Sequence, residues 1–259
     1  MTNLKIASWN VNSVKARLPN ILEWLESAQP DVVLLQELKS QEENFPYSDF
    51  KQAGYEASVS GQKSWNGVAI LSKHPIEDVM HRLPGDESDE QARYIEATIK
   101  DIRIASIYLP NGNPVDTEKY PYKLSWMDRL YKHSKDLLSQ EIPVVLGGDY
   151  NIIPSNDDCE DISKWENDAL FKFESRQKFR SILNLGYTEA FRTLHKEPNQ
   201  YTFWDYQAGC WPRGDGIRID HFLLSPKAAD MLETCEIDSE PRGKEKASDH
   251  TPILINLSI

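Results

Sequence analysis

Again and again in this chain a short apolar run gives out on residues that can hold a cation, move a proton or grip an anion. Leu4–Trp9 stops at Asn10, and Val32-Val33-Leu34-Leu35 leads through Gln36 to Glu37. Ile102–Ile107 ends at Tyr108; Pro143–Leu146 leads through Gly147-Gly148 to Asp149, with Asn151 two positions on. Ile217-Arg218-Ile219 reaches Asp220, and Ser248-Asp249-His250 stands before the last apolar run, Pro252–Leu257. Apolar runs this short, bounded by turn signals, read as buried strands rather than helices. A chain built this way must pack many short strands, and its chemistry depends on their ends meeting.

Between the strands, helical spacing shows at a few points. Leu18, Ile21, Leu22 and Leu25 form one stripe, closed before Pro30; Tyr120, Leu124, Met127 and Tyr131 form another; Phe179, Ile182 and Leu183 belong to a third, stopped by Gly186. Weaker strands are expected at Tyr55–Ser60, Gly67–Ser72 and Arg93–Ile99, and Ser225-Pro226 looks like an N-cap followed by a first-turn proline. Helices do not follow every strand, so two packed sheets with helices outside fit better than a doubly wound sheet. No glycine-rich phosphate loop of the dinucleotide or P-loop type is present. With no linker, repeat or low-complexity tract in sight, residues 1–259 are expected to form a single domain.

The balance of 29 Lys+Arg against 41 Asp+Glu gives a formal net charge of −12, which repels polyanions on average. A nucleic-acid partner therefore needs local basic surface. Two stretches supply it: 100–135 carries seven Lys/Arg against four Asp/Glu, and 172–192 five against two. Cys159, Cys210 and Cys235 have neither zinc nor disulfide spacing, which points to a reducing compartment. Leu4 begins a strand almost at once, leaving no room for a signal peptide, and no apolar stretch approaches membrane-spanning length. The expectation is a cytoplasmic protein without membrane contact.

The strand-end residues suggest a hard-cation site. Glu37, delivered to a sheet rim by a buried strand, must be paired, coordinated or protonated. Asn10 adds an amide oxygen and Asp249 a second carboxylate, a set that suits Mg²⁺ with its waters and phosphate oxygens better than zinc. Asp149 can take a proton from attacking water while Asn151 donates to a phosphoryl oxygen, provided the backbone between them stays extended. An Asx turn would account for either residue alone but does less well for both behind one strand. His250 beside a carboxylate such as Asp220 or Asp215 would be held cationic, with His221 as the other residue that could meet it. Tyr108 can hydrogen-bond a phosphate oxygen. The segment Tyr201-Thr202-Phe203-Trp204-Asp205-Tyr206 through Trp211, bounded by Gly209, Pro212 and Gly214, can offer aromatic wedges to a base step, or can simply be core.

Taken together and in order, these motifs resemble the bacterial exonuclease III and apurinic/apyrimidinic endonuclease branch of the endonuclease–exonuclease–phosphatase superfamily. The resemblance runs nearly end to end. Tyr108-Leu109-Pro110-Asn111-Gly112 through Lys119-Tyr120, together with Tyr201–Tyr206, separates this branch from lipid and inositol phosphatases. It implies a four-layered α/β sandwich of two packed mixed β-sheets flanked by helices, with the site at one rim. It further implies that Asn10, Glu37 and Asp249 bind one or two Mg²⁺ or Mn²⁺ ions, with Asp149, Asn151 and His250 bordering them as possible ligands. Asp149 would activate water, Asn151 hold water and phosphate, and Asp220 pair with His250, which meets the scissile phosphate beside Tyr108. Lys119 matches a phosphate-binding lysine, and Phe203 and Trp204 match aromatics entering the minor groove. Two departures lie in that loop: Gln207 stands where some relatives carry arginine, and Trp211 adds a large aromatic. The implied activity is Mg²⁺-dependent hydrolysis of the phosphodiester 5′ to abasic sites in double-stranded DNA, and processing of recessed or blocked 3′ ends, by a monomer. The rival is a phosphatase or phosphodiesterase of the same superfamily acting on a non-DNA phosphoester, which has no use for the basic stretches or the aromatic loop.

Overall fold

Alternation of side chains decides which way each strand faces, and here it builds two sheets that share one interior. In the computed structural model, which describes residues 2–259, the strands are β1 (Asn3–Asn10), β2 (Val32–Gln36), β3 (Glu56–Ser60), β4 (Val68–Ser72), β5 (Glu77–Met80), β6 (Tyr94–Ile99), β7 (Ile102–Tyr108), β8 (Val144–Asp149), β9 (Thr188–Glu189), β10 (Asp220–Leu224), β11 (Leu232–Ile237) and β12 (Ile253–Ser258). One six-stranded sheet has the order β11-β12-β1-β2-β4-β3, the other β5-β6-β7-β8-β10-β9. Both are mixed: β1–β2 and β7–β8 run parallel and the remaining pairs antiparallel. Each parallel pair needs a crossover, and helices α1 (Leu18–Ala28) and α3 (Lys119–Leu138), separated in the chain by the short α2 (Tyr47–Gln52), supply it from the outside. Farther on come α4 (Phe173–Leu183), α5 (Ala190–Leu194), α6 (Cys210–Arg213) and α7 (Pro226–Ala229).

Three layers of apolar packing follow. Leu4, Ile6, Val32, Leu34, Val68 and Ile70 of the first sheet meet Ile95, Ile104, Val145, Phe222 and Leu224 of the second. On the outer face of the first sheet, Ala7, Trp9, Val33 and Leu35 take Ile21, Trp24 and Leu25 of α1, with Trp9 and Trp24 edge to face at 5.4 Å. On the outer face of the second, Ala105, Ile107 and Leu146 take Trp126, Met127 and Leu130 of α3 and Phe179 and Ile182 of α4. At about 1.5–3 kcal/mol for each large apolar side chain buried, these layers dominate the fold's stability. This is the sandwich of two mixed sheets between helices that the sequence led us to expect.

Several local expectations are corrected. The buried face of α3 runs through Lys123, Trp126, Met127, Leu130 and Leu137, whereas Tyr131 is exposed, so the stripe lies rotated from Tyr120–Tyr131. Ile217 and Ile219 precede β10 instead of opening it; Ile217 makes isolated bridges to Cys159 and Phe203. The glycines after Leu146 stay inside β8. A Cβ on Gly147 would lie 2.4 Å from Phe222 Cε1 and 2.6 Å from Leu34 Cδ1, so the missing side chain serves close packing against β10 and the facing sheet. Ser225 does stand at the N-cap of α7 with Pro226 in its first turn, as expected, but its hydroxyl accepts from Val144 N at 2.8 Å and makes no bond to the helix.

Around Arg218, just before β10, lies a largely buried charged network. Arg218, fully buried, donates to Asp158 Oδ1 (2.8 Å) and Glu189 Oε1 (2.7 Å), and Arg192 adds a second guanidinium to Asp158 (2.7 Å). Burial works to raise the Glu189 pKa, but the charges of Arg218 and His221 outweigh it and hold the carboxyl at about 2, against an ordinary 4.5. A depressed carboxyl stabilises the fold fully above its ordinary value and loses that contribution as pH falls toward its folded value. The urea midpoint should therefore drop between pH 5 and about pH 2–3 more steeply for the wild type than for Glu189→Gln. Parallel acid profiles for the two proteins would show that Glu189 does not carry this dependence.

Candidate active site

On the inner faces of the sandwich, side chains pass from apolar to polar toward one end. β1 presents Leu4, Ile6, Ser8 and Asn10; β2 presents Val32, Leu34 and Gln36; β7 presents Ile102, Ile104, Ser106 and Tyr108. β8 contributes Val145, Gly147 and Asp149, and β10, running the other way, starts with Asp220 and continues to Phe222 and Leu224. Ladder register aligns the ends: Tyr108 is paired with Asp149, and Asp149 with Asp220. A first polar tier joins the sheets, Gln36 Nε2 donating to Ser106 Oγ (3.0 Å) and Ser8 Oγ (3.2 Å). A one-residue slip in any of these strands would turn its functional side chain to the wrong face.

Above that tier the strand ends meet. Asn10 Nδ2 donates to Glu37 Oε1 and Asp149 Oδ2, both at 2.9 Å. The Tyr108 hydroxyl donates to Glu37 Oε1 (2.9 Å), and Lys39 Nζ pairs with Glu37 Oε2 (2.9 Å). His250 Nδ1 meets Asp220 Oδ2 at 2.9 Å, and its Nε2 lies 3.7 Å from Asp149 Oδ2. Glu37, Asp149 and His250 each offer a ligand atom, all within 4.8 Å of one another. Asp220 Oδ1, buried, has no hydrogen-bond partner.

The charges settle unevenly. Burial works against the imidazolium of His250, yet the carboxylates of Asp220 and Asp149 overcome it and push the pKa up to about 10. Burial also pushes Asp149 up, to about 7; Asp220 and Glu37 add to this, while His250 and the Asn10 hydrogen bond oppose it. For Glu37 burial again acts upward, but the Asn10 bond and the charges of Lys39 and His250 win, and its pKa lies below the ordinary range. Near neutral pH the site holds the Glu37 carboxylate, the His250 imidazolium and an Asp149 carboxyl about half ionised. Such a set can hold a hard cation on one side and an anionic phosphate on the other.

Residues 7–250 match the model of the endonuclease/exonuclease/phosphatase family. This chain belongs to that family. Metal dependence is general in it. The family member exodeoxyribonuclease III of Haemophilus influenzae is 31% identical over 262 residues, spanning 96% of this chain and 98% of that protein. An AP endonuclease of Archaeoglobus fulgidus superposes with a TM-score of 0.95 at 38% identity, covering 99% of this chain and all (100%) of that one. A 3′ phosphatase of Neisseria, solved bound to a product DNA hairpin, gives 0.96 at 38% identity with the same coverage. With these relatives the chain is a nuclease, a phosphodiester hydrolase of the exonuclease III and AP endonuclease branch.

Within this family site the expected residues take different places. Glu37, Asp149 and His250 come together, with Asn10, Tyr108 and Asp220 in direct contact with them. Of the three partners considered for His250, Asp220 is the one bonded; Asp215 pairs with Lys164 and Arg213 instead, and His221 bonds Arg218 and the Ile152 carbonyl. Three proposed ligands are turned otherwise. Asn10 Oδ1 accepts from Asn12 N (3.0 Å), which fixes the amide with its nitrogen, not its oxygen, toward the carboxylates. Asp249 accepts from Asn12 Nδ2 (3.1 Å), outside the cluster. Asn151 has both amide atoms engaged, Oδ1 accepting from Asn111 Nδ2 and Nδ2 donating to Leu109 O, each at 3.0 Å. His250 has Nδ1 on Asp220 and Nε2 turned toward Asp149 Oδ2, so the charge that these carboxylates hold on it faces the cluster. The oxygen donors of Glu37 and Asp149 remain, a set that fits Mg²⁺ or Mn²⁺ with water completing the shell. Nor does the backbone stay extended between Asp149 and Asn151: Asn151 has φ +47°, and its N–H donates to Asp149 Oδ1 (2.9 Å), the Asx turn.

The aromatic loop is split between surface and core. Phe203, half-buried, sits edge-on to His250 at 5.0 Å. Trp204 is only 6% exposed, packed edge to face with Tyr201 and Trp211, so it supports the loop and has no free face for a groove. Trp211 and Gln207 keep exposed surface, as does Tyr206, whose hydroxyl accepts from Arg17 (2.9 Å) and Asn12 (3.3 Å). Lys119, exposed at the start of α3, lines a groove of 570 Å³ that opens beside Tyr108 and Asn111 and also holds Arg93 and the exposed Trp65.

Sequence reading missed three participants. Asn12 and Lys39 brace Asn10, Asp249 and Glu37 from the outside. Lys123, fully buried, donates to the carbonyls of Asn111 (3.0 Å) and Asn151 (2.6 Å), and burial pushes its pKa down to about 7. A signal existed: Lys123 sits three, four and seven residues before Trp126, Met127 and Leu130, a lysine inside the apolar stripe.

Proposed function

We propose that this nuclease repairs double-stranded DNA by hydrolysing the phosphodiester 5′ to abasic sites, and that the same site trims or unblocks 3′ ends. The observation that carries the reading is the meeting of Glu37, Asp149 and the Asp220–His250 pair at one rim, where water, cation and phosphate can be held together. Asp149 accepts the proton of the attacking water. The His250 imidazolium, held by Asp220, faces the phosphate; the Asn151 amide hydrogen not bonded to Leu109 O donates to a phosphate oxygen, and the Tyr108 hydroxyl does so by turning from Glu37. Glu37 and Asp149 would hold Mg²⁺, with Mn²⁺ as a substitute, and the chemistry such a cation would supply there is neutralisation of phosphate charge. Lys119 contacts the backbone from its groove, and Phe203 and Trp211 meet the DNA near the damaged nucleotide. An abasic sugar leaves the helix cheaply because no base pair is broken.

Among the described residues no helix is long and apolar enough to cross a membrane. The three cysteines are free, which is consistent with the cytoplasm. The test is a labelled duplex carrying one abasic site. We expect a nick on its 5′ side that chelator abolishes and Mg²⁺ restores, with slower loss of label from a recessed 3′ end. An intact abasic duplex under conditions where a small phosphoester is turned over would overturn the DNA reading and favour the phosphatase.

A further inference from the structure

We propose that Lys123 is a positioning residue, which clamps the Asn111 and Asn151 turns to one another and thereby aims the Asn151 amide at the substrate phosphate. The inference rests on the role given to Asn151 above. Lys123 has no exposed surface, and its Nζ reaches two backbone carbonyls from separate segments, Asn111 O and Asn151 O. The side chains of those two residues are bonded as well, Asn111 Nδ2 to Asn151 Oδ1. One ammonium and one amide bond thus close a ring between the turn that follows β7 and the turn that follows β8.

Two features show that space is kept for this arrangement. Gly112, at φ +91°, approaches so closely that a Cβ there would lie 2.6 Å from Lys123 Cδ. Asn151 is held at φ +47°, a left-handed conformation that a non-glycine residue adopts at a cost, and its carbonyl direction follows from it. A sealed lysine is itself costly to bury, and an apolar residue would fill the stripe of α3 better. The lysine touches no reacting group. Its effect on chemistry runs through Asn151: Lys123 fixes the backbone of that residue, from which the amide, held by Asn111 Nδ2 and Leu109 O, projects.

The experiment is a double-mutant cycle on the full chain with Mg²⁺, using the abasic duplex and folded protein isolated by gel filtration. Lys123→Met should lower kcat by about 10–100-fold with KM changed less than about threefold, since small misplacement of a positioning group falls on the chemical step. In an Asn151→Ala background the same substitution should lower kcat less than about threefold, because its target is gone. Equal losses in both backgrounds, or no loss in the first, would overturn the proposal. Should Lys123→Met not fold, Lys123→Gln serves in its place: an amide that reaches one carbonyl should give a loss that likewise disappears without the Asn151 side chain, and persistence would count against it. An Asn151→Ala protein with full activity would instead sink the role assigned to Asn151, a different failure from additive effects.

Discussion

Asp149→Asn is expected to lower single-turnover cleavage of an abasic duplex by about 10²–10⁴-fold, the range for loss of a positioned general base. Its surroundings explain why so small a change is severe. One carboxylate oxygen accepts from Asn151 N at 2.9 Å, and the other accepts from Asn10 Nδ2 at 2.9 Å and faces His250 Nε2 at 3.7 Å. An amide has one oxygen. Whichever way it turns, an NH₂ group is forced against a donor, either the Asn151 backbone or the Asn10 amide with the imidazolium behind it. The variant therefore loses the proton acceptor, one cation ligand and the local bonding pattern at once. DNA affinity should hold or rise slightly, because a negative charge beside the phosphate is removed while Lys119 and the aromatic loop stay in place. Cleavage within threefold of wild type, measured with binding by fluorescence anisotropy, would remove Asp149 from the mechanism.

Arg218→Met is expected to cost about 3–5 kcal/mol of stability, the usual loss when one partner of a buried ion network is deleted. Methionine roughly fills the space along the side-chain stem, so the loss is electrostatic more than steric. Of its guanidinium partners Asp158 would keep Arg192, beside the Ser155 N–H and hydroxyl, and Glu189 would keep His221 at 3.5 Å and the Arg192 N–H. The guanidinium also lies over the Phe191 ring at 5.2 Å and donates to His221 Nδ1 at 2.9 Å, so that an aromatic and a histidine lose their neighbour too. For a chain this long the melting temperature should fall by roughly 10 °C. Neutralising Asp158 and Glu189 in the same protein should recover part of the loss, since a fully apolar network leaves no stranded charge. A melting temperature within a degree or two of wild type would mean that the network contributes little.

The sheets were legible because their strands are short, apolar and punctuated. Leu4–Trp9 and Ile102–Tyr108 fall within one residue of β1 and β7. The weakly apolar β11, Leu-Glu-Thr-Cys-Glu-Ile, gave no such signal and finds its place only by pairing with β12. Strand propensity depends on neighbours, so an edge strand of this kind is hard to read alone. Ile217 and Ile219 looked like strand because the apolar run continues; the chain breaks there because Thr202 and Phe203 take the backbone bonds that β8 would have taken. At the site the residue types were readable and their orientations were not. Nothing in the order of residues shows which end of the Asn10 amide faces the carboxylates, or that Trp204 turns inward. Those outcomes depend on Asn12 N and on Gly216, where a Cβ would lie 2.5 Å from the Trp204 ring nitrogen.

Because Tyr108, Asp149 and Asp220 stand in one ladder row across β7, β8 and β10, their spacing is inherited from backbone hydrogen bonds deep in the sandwich. The segments that would handle DNA, around Trp65, Lys119 and Tyr201–Trp211, are attached outside that row. Such outlying segments can be exchanged or lengthened, redirecting the enzyme to another lesion or terminus, without disturbing the pairing that spaces the bond-breaking side chains.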